Sequence, residues 1–205
     1  MVREIRIHFE GDRRLRRGFH EFFRELIQEA RGRWIRLELI PGGGRAVQDF
    51  MKALRTHRAA LNLLLVDCEG PPVHCSIRRL SQRSDWKPPR GTVVGDSRVF
   101  RMIELMESWF LADRAALVRY FGRGLNLKRL PVAFAVEAIP KDRVLRNLHD
   151  ATRRCDKGSY SKTAHAPELL ARVDPGRVRA ASPECERLFG ELHRAIQSPA
   201  PPDDH

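Results

Sequence analysis

The first seventy residues alternate between strand-like and helix-like segments, and this alternation constrains the fold most strongly. Apolar residues at every second position predict strands at 3–9 and 34–40, and the unbroken apolar run 61–66 is typical of a buried central strand. Helical spacing of apolar residues predicts helices at 13–31 and 45–55. A β-α-β-α-β order predicts a mostly parallel sheet with right-handed crossover connections.

The remainder of the chain is predicted to be mostly helical. Residues 71–97 are rich in Pro, Arg and Ser and predict a long loop of the kind that is often functional or mobile. Helices are expected at 99–113, 141–153, 166–173 and 182–196, the last with Ser182 as N-cap, and an edge strand at 130–136, where Pro131 disfavours a central position.

These segments predict one α/β domain over residues 1–197. Its core is expected at 1–115 and a helical C-terminal extension at 116–197. The proline-rich end, 198–205, is expected to be disordered because it offers almost no apolar surface to bury.

The chain is strongly basic, with 38 Lys and Arg against 26 Asp and Glu and a net charge of +12. This charge favours an anionic partner such as nucleic acid, although the excess of Arg over Lys is also what a GC-rich genome produces. No apolar run of transmembrane length and no signal peptide stand out, so we expect no membrane association. The four cysteines form no CxxC pair, which favours reduced thiols and a cytoplasmic location.

Acidic residues follow two of the predicted strands. Glu10 comes directly after the first strand, and Asp67 and Glu69 follow the apolar run 61–66. Open α/β sheets bind ligands at the carboxyl ends of their strands, where carboxylates supply the hard oxygen ligands that Mg²⁺ prefers. We interpret Asp67 and Glu69 as metal ligands and Glu10 as a third ligand or a general base. The alternative is that these residues only cap helix N-termini.

Two further acids flank an apolar stretch in the predicted helix 99–113. Glu107 is a candidate additional ligand, since two-metal sites need extra carboxylates, or else a solvated or ion-paired residue. For Asp113 we favour the structural role.

Basic candidates for phosphate binding lie in two segments. Arg45 follows the turn Pro41-Gly42-Gly43-Gly44, whose N–H groups could face an anion, although a tight strand-to-helix turn is the commoner reason for such glycines. The segment 153–162 could contact phosphates and stack a base on Tyr160, or could be an ordinary solvated loop. Its candidate residues are Arg153, Arg154, Lys157 and Lys162. His165, close behind, is expected to be structural.

The motifs after the two strands resemble a Toprim domain, which carries Glu after its first strand and a D-x-D pair after a later one. Here the pair is Asp67 and Glu69, which keeps two oxygen ligands. More of the chain resembles the bacterial family called domain of unknown function 4276. That resemblance is carried by Pro41-Gly42-Gly43-Gly44-Arg45, Leu65-Val66-Asp67-Cys68-Glu69-Gly70-Pro71, Met106-Glu107-Ser108-Trp109-Phe110-Leu111-Ala112-Asp113 and Lys157-Gly158-Ser159-Tyr160-Ser161-Lys162.

The resemblance implies a Mg²⁺- or Mn²⁺-dependent nuclease acting on DNA or RNA, including tRNA, as the effector of an anti-phage system with an SMC-like AAA ATPase. On this hypothesis Glu10 and Lys162 are catalytic, Glu10, Asp67, Glu69 and Glu107 bind metal, and Arg45, Arg153, Arg154, Lys157 and Lys162 contact phosphate. A homodimer is left open. The competing hypotheses are a Toprim-like adaptor that binds the ATPase and nucleic acid without cutting, and a phosphate-ester enzyme acting on nucleotides.

Overall fold

The computed structural model describes residues 2–68, 70, 76–131 and 135–198. Four parallel strands form one sheet in the order β2-β1-β3-β4. The strands are β1 (Glu4–Phe9), β2 (Arg36–Pro41), β3 (Leu61–Cys68) and β4 (Val99–Ile103). The predicted parallel α/β fold is therefore confirmed, with β1 and β3 as central neighbours.

Ten α-helices of the described chain pack around this sheet or extend beyond it. They are α1 (Leu15–Phe22), α2 (Arg24–Gly32), α3 (Ala46–Thr56), α4 (Ile77–Leu80), α5 (Ser108–Ala112), α6 (Arg114–Phe121), α7 (Lys141–Thr152), α8 (Lys162–Leu170), α9 (Pro175–Ala181) and α10 (Pro183–Gln197). From α6 onward the described chain is helical apart from turns and loops, as predicted for the C-terminal part.

Several predicted boundaries differ from the observed ones. The helix expected at 13–31 is two helices, α1 and α2, that meet at Phe23. The described part of the segment 130–136 forms no strand, and residues 132–134 lie outside the described chain. Ser182 does cap α10 as predicted, since its side chain accepts a hydrogen bond from the Cys185 N–H at 3.1 Å.

The helix predicted at 99–113 is wrong, because this segment begins with strand β4 and continues through a turn into α5. Val99 packs with α3 on one face of the sheet, and Phe100 and Met102 pack in the main core on the other. Because both faces are buried, the strand is apolar apart from Arg101, and such a run does not distinguish strand from helix. Glu107 consequently lies just beyond the carboxyl end of a strand.

The hydrophobic core is divided by the sheet. The larger cluster joins β1 and β4 to α1, α2, α5 and the C-terminal helices, and the smaller one packs α3 against Leu64 and Val66 of β3. Cys155 and Cys185 are free and buried, whereas Cys68 is disulfide-bonded, so the prediction of reduced thiols is wrong for Cys68. No helix within the described residues has the length and apolar character needed to cross a membrane.

Candidate functional site

The register of the two central strands brings Glu10 and Asp67 together. Phe9 pairs with Leu65, and the Glu10 N–H continues the ladder by donating to the Leu65 carbonyl at 2.8 Å. The Asp67 N–H then donates to Oε2 of Glu10 at 3.3 Å. The prediction that these two residues meet at the carboxyl edge of the sheet is therefore correct.

Strand β4 brings Glu107 to the same edge. Cys68 pairs with Ile103, so the turn after β4 lies beside the end of β3, and the Met106 N–H donates to Oδ1 of Asp67 at 2.9 Å. The side chain of Glu107 is completely buried. Its Oε1 accepts a hydrogen bond from the Tyr160 hydroxyl at 3.2 Å, while its Oε2 has no hydrogen-bond partner among the described residues.

Lys162, the first residue of α8, lies between the two acids. Its Nζ is 3.5 Å from Oδ2 of Asp67 and 3.5 Å from Oε1 of Glu107. The position of α8 depends on its close packing with α1, where a Cβ at Gly18 would lie only 2.8 Å from the carbonyl oxygen of Pro167. We call Glu10, Asp67, Glu107 and Lys162 the acidic cluster.

Burial and neighbouring charges shift the protonation of this cluster. Burial raises the pKa of Asp67 to about 7, and the charges of Glu107 and Glu10 add to that rise while Lys162 opposes it. For Lys162, burial lowers the pKa, but the two carboxylates outweigh it and the pKa is raised, so the ammonium stays charged. Burial, reinforced by Glu107, also raises the pKa of Tyr160, which therefore donates as a neutral phenol.

The carboxylate oxygens of the acidic cluster are the type of ligand that a hard divalent cation prefers, although they are not arranged as a preformed metal site. No group of three His, Cys, Asp or Glu side chains within the described part of the chain has the spacing of a metal site. Yet Glu107 carries an unpartnered buried oxygen, and the pKa of Asp67 is raised partly by crowded negative charge. A divalent cation would coordinate the unpartnered oxygen of Glu107 and offset the negative charge around Asp67. Glu10, Asp67 and Glu107 are the described residues that would hold it, whereas the predicted ligand Glu69 lies outside the described residues.

The raised pKa of Asp67 predicts that the metal-free protein loses stability as the pH rises. Below pH 3.8, the usual pKa of the group, the Asp67 carboxyl is protonated in both the folded and the unfolded protein. Between pH 3.8 and about 7, only the folded protein keeps this proton. Stability should therefore fall across this interval, by a total on the order of 4 kcal/mol at most. Urea unfolding of wild type and Asp67→Asn in EDTA, at a series of pH values, measures this loss of stability. The same pH dependence of the free energy of unfolding in both proteins would contradict the prediction.

A cavity of about 470 Å³ opens beside the cluster. Its lining includes Glu10 and Asp67 together with Arg79, Arg83 and Arg101. Arg83 pairs with Asp85 at 2.9 Å, and Arg101 pairs with Asp96 and Glu184, whereas Arg79 forms no ion pair within the described chain. The arrangement places carboxylates and phosphate-type donors around one space.

Sequence reasoning missed these arginines. Arg79 and Arg83 lie in the segment 71–97, which contains so many arginines that no single one stands out. Arg101 falls in the segment for which the sequence predicts a helix. The only available signal was the expectation that a long loop is functional.

The remaining phosphate-binding candidates do not join the acidic cluster. Arg45 is exposed and makes no contact with it in the described structure. Arg153 and Arg154 line a different cavity, and Lys157 lies over the Tyr120 ring, 5.1 Å from its centroid. Of the five phosphate-binding candidates, all within the described chain, the structure brings only Lys162 to the carboxylates.

Three other residues and the glycine turn have structural roles. The ring of Tyr160 is buried, which argues against the alternative in which it stacks a base. The N–H groups of Gly42 and Gly43 donate to the carbonyls of Phe9 and Gly11, so this turn serves the strand-to-helix connection. Asp113 and His165 have the structural roles expected of them. Asp113 accepts hydrogen bonds from the Ala116 and Asp174 N–H groups, and His165 accepts one from the Ser161 N–H.

Comparison with known proteins identifies a family and nothing finer. No curated protein and no solved structure is significantly similar to the chain. The family model described as domain of unknown function (DUF4276) matches residues 12–193, which include Asp67, Glu107 and Lys162 and begin just after Glu10. Because the match spans most of the sequence, the chain belongs to the DUF4276 family.

Proposed function

We propose that the protein is a metal-dependent phosphodiesterase that cleaves DNA or RNA, with Mg²⁺ or Mn²⁺ as its cofactor. The observation that carries this proposal is the convergence of Glu10, Asp67 and Glu107 with Lys162 at the carboxyl edge of a parallel sheet. Ligand sites of open α/β folds occur at this edge. The arginine-lined cavity beside the acids provides room and charge for a phosphate group.

The proposed roles follow from the position of each side chain. A bound divalent cation would supply Lewis-acid stabilisation of charge on the phosphate. Glu10 is partly exposed at the cavity and can accept a proton from an attacking water. Lys162 stays charged, and its half-exposed ammonium can stabilise negative charge developing on the phosphate oxygens.

The cellular role we propose comes from the resemblance to the DUF4276 family and its Toprim-like relatives. We infer that the protein is the effector subunit of an anti-phage system and acts with an SMC-like AAA ATPase. The net charge of +12 supports a polyanionic target for such an effector.

A non-cutting adaptor is the second candidate, and one specific observation favours it. Lys162 already forms ion pairs with Asp67 and Glu107, as a structural lysine would. In that case the cluster would hold the C-terminal helices to the sheet, and the basic surfaces alone would bind nucleic acid.

The test is cleavage of labelled DNA and labelled RNA by the purified protein, alone and with its ATPase partner. We expect cutting with Mg²⁺ or Mn²⁺ that stops in EDTA and in Glu10→Ala, while Glu21→Ala on the surface of α1 cuts normally. The Glu10→Ala protein should remain folded, since Glu10 is partly exposed, and a circular dichroism spectrum checks this. Absence of cutting in every combination, with nucleic-acid binding retained, would support the adaptor instead.

A further inference from the structure

A second cavity of about 320 Å³ lies at the C-terminal end of α7, apart from the acidic cluster. Arg129, Arg153 and Arg154 line it together with the amide of Asn126. All three arginines are exposed, and none of them forms an ion pair within the described residues. We call these three residues the distal arginines.

The walls of this cavity are held by backbone contacts. The Asn126 N–H donates to the Ala151 carbonyl at 2.8 Å, which fastens the loop after α6 to the end of α7. Gly124 has a φ of +90°, and a Cβ there would lie 2.2 Å from the carbonyl oxygen of Arg154, so only glycine permits this approach. The backbone that carries these arginines is therefore held in place.

The charge around the cavity is positive. Asp150 is the one acid in its lining, and its Oδ1 lies 3.4 Å from Nδ1 of His149. Arg123 and Lys128 are also exposed on the adjoining loop and form no ion pair in the described chain. Cations after a helix C-terminus can simply interact with its dipole, but that explanation does not cover Arg129, which comes from another segment.

Short contacts connect this cavity to the acidic cluster. The Tyr160 N–H donates to Oγ1 of Thr152 at 2.6 Å, and the Tyr160 hydroxyl donates to Glu107. Thr152 immediately precedes the two arginines of the cavity. Residues 155–159 thus separate Arg153 and Arg154 from Tyr160, which contacts the carboxylate of Glu107.

We propose that the distal arginines bind the phosphodiester backbone of a nucleic-acid strand at a point away from the acidic cluster. The inference rests on the proposed function and names an anchoring site for its polymeric substrate. Unpaired guanidinium forks on a backbone held in place suit phosphate oxygens, and an amide beside them adds a hydrogen-bond donor. A strand that spans both sites would be held in register for cleavage.

The test measures binding in EDTA, so it does not depend on cleavage. A labelled single strand of about 20 nucleotides is titrated with wild type and with Arg129→Gln/Arg153→Gln/Arg154→Gln, and affinity is read by fluorescence anisotropy at several salt concentrations. We expect at least about tenfold weaker binding and a smaller salt dependence, with the slope of log K against log salt reduced by about 2. The matched control is Arg3→Gln/Arg31→Gln/Arg33→Gln, which removes three exposed arginines near the amino edge of the sheet that form no ion pair within the described residues.

Two outcomes would overturn the inference. The first is equal weakening by the two triple variants, which would mean that only net charge matters. The second is full displacement of the strand by a mononucleotide at concentrations near its own binding constant, which would make the cavity a nucleotide pocket. Thermal unfolding of both variants verifies that they are folded. If the protein binds as expected but never cuts, the proposed function fails and the anchoring site stands.

Discussion

Replacing Asp67 by Asn is expected to lower the rate of metal-dependent cleavage by at least about 100-fold. One preorganised electrostatic group at a reacting centre is commonly worth a factor of about 100–1000. Asn keeps the shape of Asp and can still accept the Met106 N–H, which now donates to Oδ1 at 2.9 Å. The variant therefore loses charge at the cluster without losing the contact that joins β3 to the turn after β4. The measurement is the rate of product formation under single-turnover conditions.

The control for this substitution is Asp142→Asn on the surface of α7. Asp142 retains 70% exposure and pairs with Arg146 one turn along the same helix, so its loss should leave cleavage unchanged. An Asp67→Asn protein that cuts at the wild-type rate would remove Asp67 from the mechanism. Equal losses in both variants would point to a general effect of charge.

Replacing Trp109 by Ala should destabilise the protein by about 3–5 kcal/mol, the range usual for large aromatic side chains in cores. Trp109 is 1% exposed and stacks on Phe22 with ring centroids 5.0 Å apart. It belongs to α5, the helix that begins beside Glu107, so the cavity left by Ala would also loosen the acidic cluster. We expect a lower urea midpoint together with a lower cleavage rate.

Trp34 offers a matched control for that prediction. Its side chain is 91% exposed, so Trp34→Ala should change the free energy of unfolding by no more than about 0.5 kcal/mol. Trp109→Phe should cost less than Trp109→Ala, because Phe can still stack on Phe22 and lacks the indole N–H, which has no partner among the described residues. A Trp109→Ala protein as stable as wild type would contradict the account of the core.

The central part of the site could be predicted because it depends on local pattern and parallel register. Alternating apolar residues place β1 and an unbroken apolar run places β3, and a parallel arrangement puts their carboxyl ends side by side, which is enough to bring Glu10 near Asp67. Glu107 was recognised as a candidate but assigned to a helix, because a strand buried on both faces shows no alternation.

The other contacts depend on packing between distant segments, which no local pattern encodes. Lys162 was selected for its chemistry and its motif, but its place between two acids follows from the docking of α8 against α1. Arg153 and Arg154 were assigned to the same site as Lys162 because they are near it in sequence. The turn that ties Tyr160 to Thr152 separates them.

The most direct test of the metal centre is a calorimetric titration of Mn²⁺ into wild type and Asp67→Asn near pH 6. We predict that wild type binds the ion and releases protons, because burial holds the pKa of Asp67 at about 7 and the ligand must be deprotonated to bind. The variant should bind weakly and release fewer protons. Wild type that binds no metal, or binds it with the same affinity and proton release as Asp67→Asn, would contradict the assignment of the acidic cluster as a metal centre.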